Sequence, residues 1–213
     1  MILNAVIAVN RIFVMFSKAF ASAGRIDIVM TAEDDLTVEE LTEKVTDTKL
    51  EFKNALTKVK DIFEQNLKCL AHDAAYAYIK QRSIMDALKV HQANNSQWFL
   101  KIDLKDFFNN CTPELIYKQL CKLYPFYYFH LSTLNILKKI IKTCCLHGGL
   151  PQGTPISPLL TNLVMIPYDY QISNALKRGT GEHYVYTRYA DDILISSKSN
   201  FNWQGIVSVL TAK

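Results

Sequence analysis

The chain reads as an α+β protein, a small antiparallel sheet backed by helices, and three observations carry that reading. Tyr184-Val185-Tyr186-Thr187-Arg188 and Ile193-Leu194-Ile195-Ser196 are β-branched and aromatic runs on either side of Tyr189-Ala190-Asp191-Asp192, the pattern of two short strands joined in a hairpin. A third apolar run, Trp98-Phe99-Leu100-Lys101-Ile102, ends on a carboxylate, Asp103. The stretches around these runs carry helix start signals and helical spacing instead.

From the N-terminus, Met1 to Phe20 is apolar but broken by Asn4, Asn10, Arg11, Ser17 and Lys18. It therefore lacks the roughly 20 apolar residues a bilayer requires and reads as a buried helix. A degenerate signal sequence is the alternative reading, though neither a basic start nor a clear small-residue cleavage site is present. Thr37-Val38-Glu39-Glu40 is a capping box, and Phe52, Leu56, Val59, Ile62, Phe63 and Leu67 form a helical stripe over 50–70. Thr112 as N-cap and Pro113 in the first turn open a helix over about 113–123. A further helix spans about 131–145. The Gly- and Pro-rich loop from Gly148 to Ile156, where backbone can approach a ligand, runs into a helix over 158–177 that Ser157 caps and Pro167 should kink. A last amphipathic helix covers about 203–212. One more strand completes the sheet.

Composition sets the outer bounds. With 213 residues, 49% hydrophobic and 21% charged, the chain can bury one or two cores and is not disordered. Residues 1–60 carry 8 basic and 9 acidic groups, 61–213 carry 16 and 11, so a nucleic-acid path belongs on the second part. Lys138, Lys139, Lys142, Lys177, Arg178 and Arg188 are its expected phosphate contacts, against the alternative of solvated helix faces. Cys69, Cys111, Cys121, Cys144 and Cys145 form no zinc spacing; an odd count with an adjacent pair fits thiols in a reducing cytoplasm. The expected division is a divergent N-terminal helical segment, 1–70, and a core, 71–213.

Paired acids at the tip of a hairpin suit a metal site once a further carboxylate joins them, against the alternative of a solvated turn, and the Asp103 strand carries such a carboxylate. In order, the Asp103 strand, the loop Leu150-Pro151-Gln152-Gly153 with its Ser157-Pro158 helix, and the hairpin Tyr189-Ala190-Asp191-Asp192 resemble motifs A, B and C of the reverse transcriptases. The resemblance covers about 71–197, and Ala190 as the variable residue is similar to the bacterial enzymes of retrons, group II introns and phage defence. It implies a polymerase palm with partial helical fingers, and RNA-directed DNA polymerisation by two-metal transfer of a dNTP to a primer 3′-hydroxyl. The implied partners are an RNA template, a nucleic-acid primer and dNTPs, with no membrane involved.

The resemblance also assigns residues. Asp103 and Asp191 would bridge two Mg2+ ions, with Mn2+ as the alternative, Asp192 would be the third carboxylate and the Leu104 carbonyl a backbone ligand. Phe108 would lie under the incoming sugar and reject a 2′-hydroxyl; the competing reading is a core phenylalanine. Gln152 and Gly153 would border nucleotide and template. Arg82 and Lys80 would hold phosphates by charge-assisted hydrogen bonds, unless they are surface salt-bridge residues. Gln81 stands where the family usually has Gly. Asp86-Ala87-Leu88-Lys89-Val90-His91 approximates a retron element with Asp for Asn, and His91 equally fits a structural histidine.

The family's basic fingers hairpin is not visible; acidic Ala32-Glu33-Asp34-Asp35 stands in that region. No thumb is recognisable after the hairpin. The competing function is therefore a catalytically impaired palm remnant acting as a nucleic-acid-binding or defence-signalling module. An RNA-dependent RNA polymerase would favour Gly-Asp-Asp and a small or acidic residue at 108, and neither is present.

Overall fold

The computed structural model describes residues 38–67, 69–178 and 183–211. The apolar 1–20 segment, the acidic run at 32–35 and Thr37 lie outside them. The chain divides into two compact units, one of 1–68 with 112–157 and one of 69–111 with 158–213.

The described residues of the first unit hold helices and no strand. Helix α1 (Val38–Asn66) buries Leu56, Val59 and Phe63, with Leu67 following, a three- and four-residue spacing that lays one apolar stripe against the core. The Phe63 ring meets Phe126 edge-on at 6.1 Å. The later helices of this unit, α4 (Pro113–Leu120) and α5 (Leu131–Cys144), pack on one another. In α4 the Thr112 hydroxyl accepts from the Leu115 N–H at 3.2 Å, as expected of its N-cap, and the helix ends three residues earlier than the spacing predicts. Ile116 and Leu120 from α4, and Leu137, Ile140 and Ile141 from α5, are buried. Burial pushes the Cys145 thiol up to about 11 and that of Cys144 higher still, which leaves neither reactive near neutral pH.

The second unit holds the sheet. Strands β1 (Trp98–Asp103), β2 (Val185–Tyr189) and β3 (Asp192–Ser197) lie in the order β1-β3-β2, all antiparallel. Among the described residues there is no fourth strand. In its place Ala75 forms a single bridge to Arg188, with Arg188 N–H donating to Ala74 O and Tyr76 N–H to Arg188 O at 2.7 and 2.9 Å. Left-handed φ values at Tyr78 (+61°) and Gln81 (+63°) turn this segment away before it can extend. Gln81 thus sits where glycine is the unstrained choice.

Strand periodicity sorts the side chains. Leu100, Ile102, Ile193 and Ile195 face helices α6 (Ser157–Arg178) and α7 (Trp203–Thr211) through Ile172, Leu176 and Ile206. Lys101, Asp103, Asp192, Thr187 and Ser196 take the opposite face. Helix α6 continues through Pro167 and already includes Ser157, one residue before the predicted start. The Thr154 and Ser157 hydroxyls bond at 2.6 Å at that end. Asn202 opens α7, its Oδ1 accepting from Gly205 N–H at 3.1 Å.

Arg188, expected on a phosphate-binding surface, is fully buried. The alternation that puts Thr187 on one face puts Arg188 on the α6 side. There its Nε and Nη2 grip both oxygens of Asp169, also fully buried, at 3.0 and 2.8 Å. Its Nη1 donates to Asn162 Oδ1 at 3.2 Å and to the Ala190 carbonyl at 2.9 Å. The Tyr186 hydroxyl also donates to Asp169, so the buried charge is compensated on several sides, as such a pair requires.

Helix α2 (Ile84–Ala93) packs on the other face, close to β2. Asp86, read as a departure from the retron element, completes a capping box with Ser83: Ser83 N–H donates to Asp86 Oδ2 and Asp86 N–H to Ser83 Oγ, at 3.0 and 3.2 Å. His91 is the structural histidine. It is 2% exposed, with Nδ1 2.6 Å from Ser196 Oγ and Nε2 2.8 Å from Thr187 Oγ1. Because Ser196 donates onward to Ser96 Oγ at 2.7 Å, Nδ1 carries the proton and Nε2 accepts from Thr187.

Burial lowers the pKa of His91 below its ordinary 6.5. The unfolded chain then binds a proton that the folded chain resists, so stability falls as pH drops through 6.5 and levels off below the folded value. Urea midpoints at about pH 7.5 and pH 5.5 should differ less in His91→Gln than in the wild type; an equal loss in both would remove His91 as the source.

Candidate active site

The carboxylates are placed by the register of the sheet. Asp103, last residue of β1, stands directly opposite Asp192, first residue of β3, and directly opposed side chains lie on the same face with Cβ atoms about 5 Å apart. Ala190 and Asp191 form the two-residue turn between β2 and β3. Leu104 N–H donates to the Asp191 carbonyl at 3.2 Å, which ties the end of β1 to that turn. Leu104 packs its side chain into the core beneath.

The turn is held in a conformation that the side chain at its first position does not favour. Ala190 has φ +57° and is 7% exposed. In a two-residue hairpin that first position with positive φ belongs to glycine, and for an alanine it costs about 1 kcal/mol. The Arg188 guanidinium, fixed by Asp169, holds the Ala190 carbonyl from below.

Three carboxylates at one end of the sheet repel one another, and a lysine missed in the sequence reading offsets part of that charge. Lys101 lies two residues before Asp103, hence on the same face, and its Nζ is 2.9 Å from Asp192 Oδ1. The hydrogen bond and charge of Asp192, then the charges of Asp103 and Asp191, hold its ammonium above the usual lysine range. The charges of all three aspartates therefore reach the Lys101 ammonium. Among the described residues no three acidic, histidine or cysteine side chains close on a single point tightly enough to hold a metal ion, and Asp192 is drawn toward Lys101. The donor set still suits magnesium: carboxylate and main-chain oxygens, without His or Cys.

The two neighbouring phenylalanines differ in burial. Phe107 is buried, whereas Phe108, beside it in α3 (Phe107–Asn110), is only half-buried. The Phe108 ring meets Tyr78 edge-on at 6.5 Å. Tyr78 is 55% exposed, and partial burial, then Asp191 and Tyr189, raise its phenol pKa. Asp191, Tyr78 and Phe108 thus share one neighbourhood. Nothing in the sequence singled out Tyr78, since its place follows from the turn at 78–82.

Arg82 faces inward. Its Nη1 donates to Asp73 O and Ala75 O at 2.9 and 2.7 Å, its guanidinium lies 5.4 Å from the Tyr76 ring centre, and Asp73 Oδ1 is 3.9 Å from Nη2. These contacts brace the segment that bridges to Arg188. Lys80 is exposed in the same turn.

Gln152 and Gly153 belong to the other unit and are described within it. The turn before them, Leu146 to Gly149, is closed by N–H to carbonyl bonds in both directions at 2.8 and 3.1 Å, with positive φ at His147 and Gly148, the signature of a type I′ turn. Leu150 is buried as an anchor, and Gln152 and Gly153 follow on the surface. Gly153 has φ +85°, and an added Cβ would meet nothing within 4 Å. Within the chain, the glycine answers a need for backbone conformation.

The model of the family described as reverse transcriptase (RNA-dependent DNA polymerase) matches residues 45–213. The retron Ec83 reverse transcriptase of Escherichia coli is 37% identical over 135 residues, 59% of this chain and 40% of that protein. The retron Ec73 reverse transcriptase of the same organism is 35% identical over 132 residues, 59% and 40%, and the retron Mx162 reverse transcriptase of Myxococcus xanthus 31% over 137 residues, 59% and 27%. The matched part of the chain thus spans about two fifths of the length of the first two relatives. A solved structure of Candida albicans telomerase with a TWJ fragment of telomeric RNA aligns with 85% of this chain and 36% of that one, at 12% identity and a TM-score of 0.49. The family match covers well over half the residues, with the Asp103 strand, the Leu-Pro-Gln-Gly loop and the Asp191-Asp192 hairpin inside it: this chain belongs to the reverse transcriptase family.

Proposed function

We propose that the chain is the fingers–palm core, 71–213, of a bacterial RNA-directed DNA polymerase of the retron type, preceded by a divergent segment at 1–70. The observation that carries this reading is the register that sets Asp103 opposite Asp192, with the Leu104 to Asp191 hydrogen bond closing the same corner. It gives an all-oxygen donor group on a rigid sheet end, where a polymerase needs one.

Asp103, Asp191 and the Leu104 carbonyl would hold two divalent cations, with Asp192 as the third carboxylate. When bound, such ions stabilise the attacking 3′-oxygen and the departing pyrophosphate together. Phe108 supports the sugar of the incoming nucleotide and excludes a 2′-hydroxyl. Gln152 and Gly153 border nucleotide and template, and Lys80 contributes a phosphate contact. Lys101 keeps Asp192 oriented and charge-compensated between turnovers. The partners are an RNA template, a primer and dNTPs.

Primer extension with Mg2+, an RNA template and dNTPs tests this. The chain should add at least one deoxynucleotide, Asp191→Asn should add none, and Phe108→Ala should accept ribonucleotides about 10–100-fold better relative to deoxynucleotides. Extension that survives Asp191→Asn would contradict the carboxylate assignment, and unchanged discrimination in Phe108→Ala would return that residue to the core.

Lys101 gives an independent readout. Its ammonium competes with a cation for Asp192, so Lys101→Gln should tighten Mn2+ binding, measured by water proton relaxation without nucleotide. The competition is lost if binding weakens instead.

A further inference from the structure

A cavity of about 640 Å3 opens on the second unit, at the outer edge of β2. That size lies within the range of small-molecule sites. None of the three aspartates lines it. Tyr76, Tyr184, Tyr186 and His72 line it, as do Lys177 and His183, both exposed.

Each tyrosine is fixed by a different neighbour. Arg82 lies against Tyr76, Phe201 meets Tyr184 edge-on at 5.5 Å, and Asp169 takes the Tyr186 hydroxyl. His72 is fixed as well: Tyr170 meets its ring at 4.6 Å, and its Nδ1 accepts from Ala74 N–H at 3.1 Å, which leaves Nε2–H as a donor. The one carboxylate among the lining residues, Asp73, projects fully into solvent.

The edge of β2 adds polar main chain. Arg188 directs its N–H to the Ala74 carbonyl and accepts at its own carbonyl from the Tyr76 N–H. Strand periodicity of two directs the N–H and carbonyl of Tyr186 to the same side. Aromatic side chains, the main-chain donor and acceptor of Tyr186 and a cation at the mouth match a planar heterocycle that carries a phosphate.

We propose that this cavity binds one nucleotide unit, with the base against the Tyr76 and Tyr184 rings and the phosphate toward Lys177. It is a second nucleotide site, separate from the aspartates, and it rests on the family assignment only in that nucleic acid is at hand. The source is either a free nucleoside monophosphate or an unpaired nucleotide within a strand.

The test is equilibrium binding in EDTA, so that metal-dependent binding at the aspartates does not contribute. The probes are AMP and a labelled single strand of about 12 nucleotides carrying 5-iodouridine, the strand also being crosslinked and mapped by mass spectrometry. Crosslinks should fall on Tyr76 or Tyr184. Tyr184→Ala should weaken binding about 5–100-fold with Tyr184→Phe near wild type, and Lys177→Ala should weaken it and flatten its salt dependence. Tyr184 is part of the packing around β2, so Lys177→Ala, an exposed change, decides the case if Tyr184→Ala fails to fold. AMP bound in this Lys177-dependent way identifies a free nucleotide; a strand bound without AMP competition identifies an unpaired base. Asp191→Asn should leave binding intact while removing extension, so the two sites fail separately. Crosslinks confined elsewhere, or affinity for both probes unchanged in Lys177→Ala, would overturn the proposal.

Discussion

The site depends on one buried ion pair. Arg188 and Asp169 have no exposed surface and meet through two nitrogens and two oxygens. From that pair the Arg188 guanidinium reaches the Ala190 carbonyl and Asn162, while Asn162 Nδ2 donates to Ala77 O at 2.9 Å. Hairpin turn, helix α6 and the segment bearing Tyr78 are thereby joined at one cation. A buried pair contributes little net stability, because desolvation offsets the Coulomb attraction. What it supplies here is geometry: a left-handed alanine at the turn persists because its carbonyl has a fixed donor.

A second balance of charge sits above the first. Asp103 and Asp192 are opposed across the sheet, an arrangement that repulsion disfavours, and Lys101 stands beside them as countercharge. A strand of alternating residues accomplishes this with one sequence, since Lys101 and Asp103 share a face while Leu100 and Ile102 fill the core. The same alternation sends Arg188 inward and leaves Thr187 for His91. Face assignment by periodicity thus decides both the chemistry and its support.

Much of this was legible in the sequence, and the reasons differ by element. The hairpin, the Asp103 strand and the helix starts at Thr112 and near Ser157 follow from local rules, namely β-branched runs, an N-cap and proline in the first turn. The order of the three motifs carried the family. What escaped was set by contacts distant in sequence. Arg188 read as a surface cation because its partner Asp169 lies in a helix 19 residues earlier, and the carbonyl partners of Arg82 depend on how residues 73–76 turn. The expected fourth strand is a single bridge at Ala75, because the backbone at Tyr78 adopts a left-handed conformation that no letter pattern announces. Gln81 came nearest: a departure from the family's glycine marked a position whose φ is indeed positive.

Arg188→Lys tests the dependence of the site on its buried support most directly. A lysine keeps the charge opposite Asp169 but cannot donate to both carboxylate oxygens and to the Ala190 carbonyl together. Mn2+ binding, followed by water proton relaxation, should weaken about 10–100-fold, as for loss of a residue that positions a ligand, while the circular dichroism spectrum stays that of the folded chain. A folded Arg188→Lys protein that binds Mn2+ as tightly as the wild type would contradict the view that the Arg188–Asp169 pair holds the aspartate turn in place.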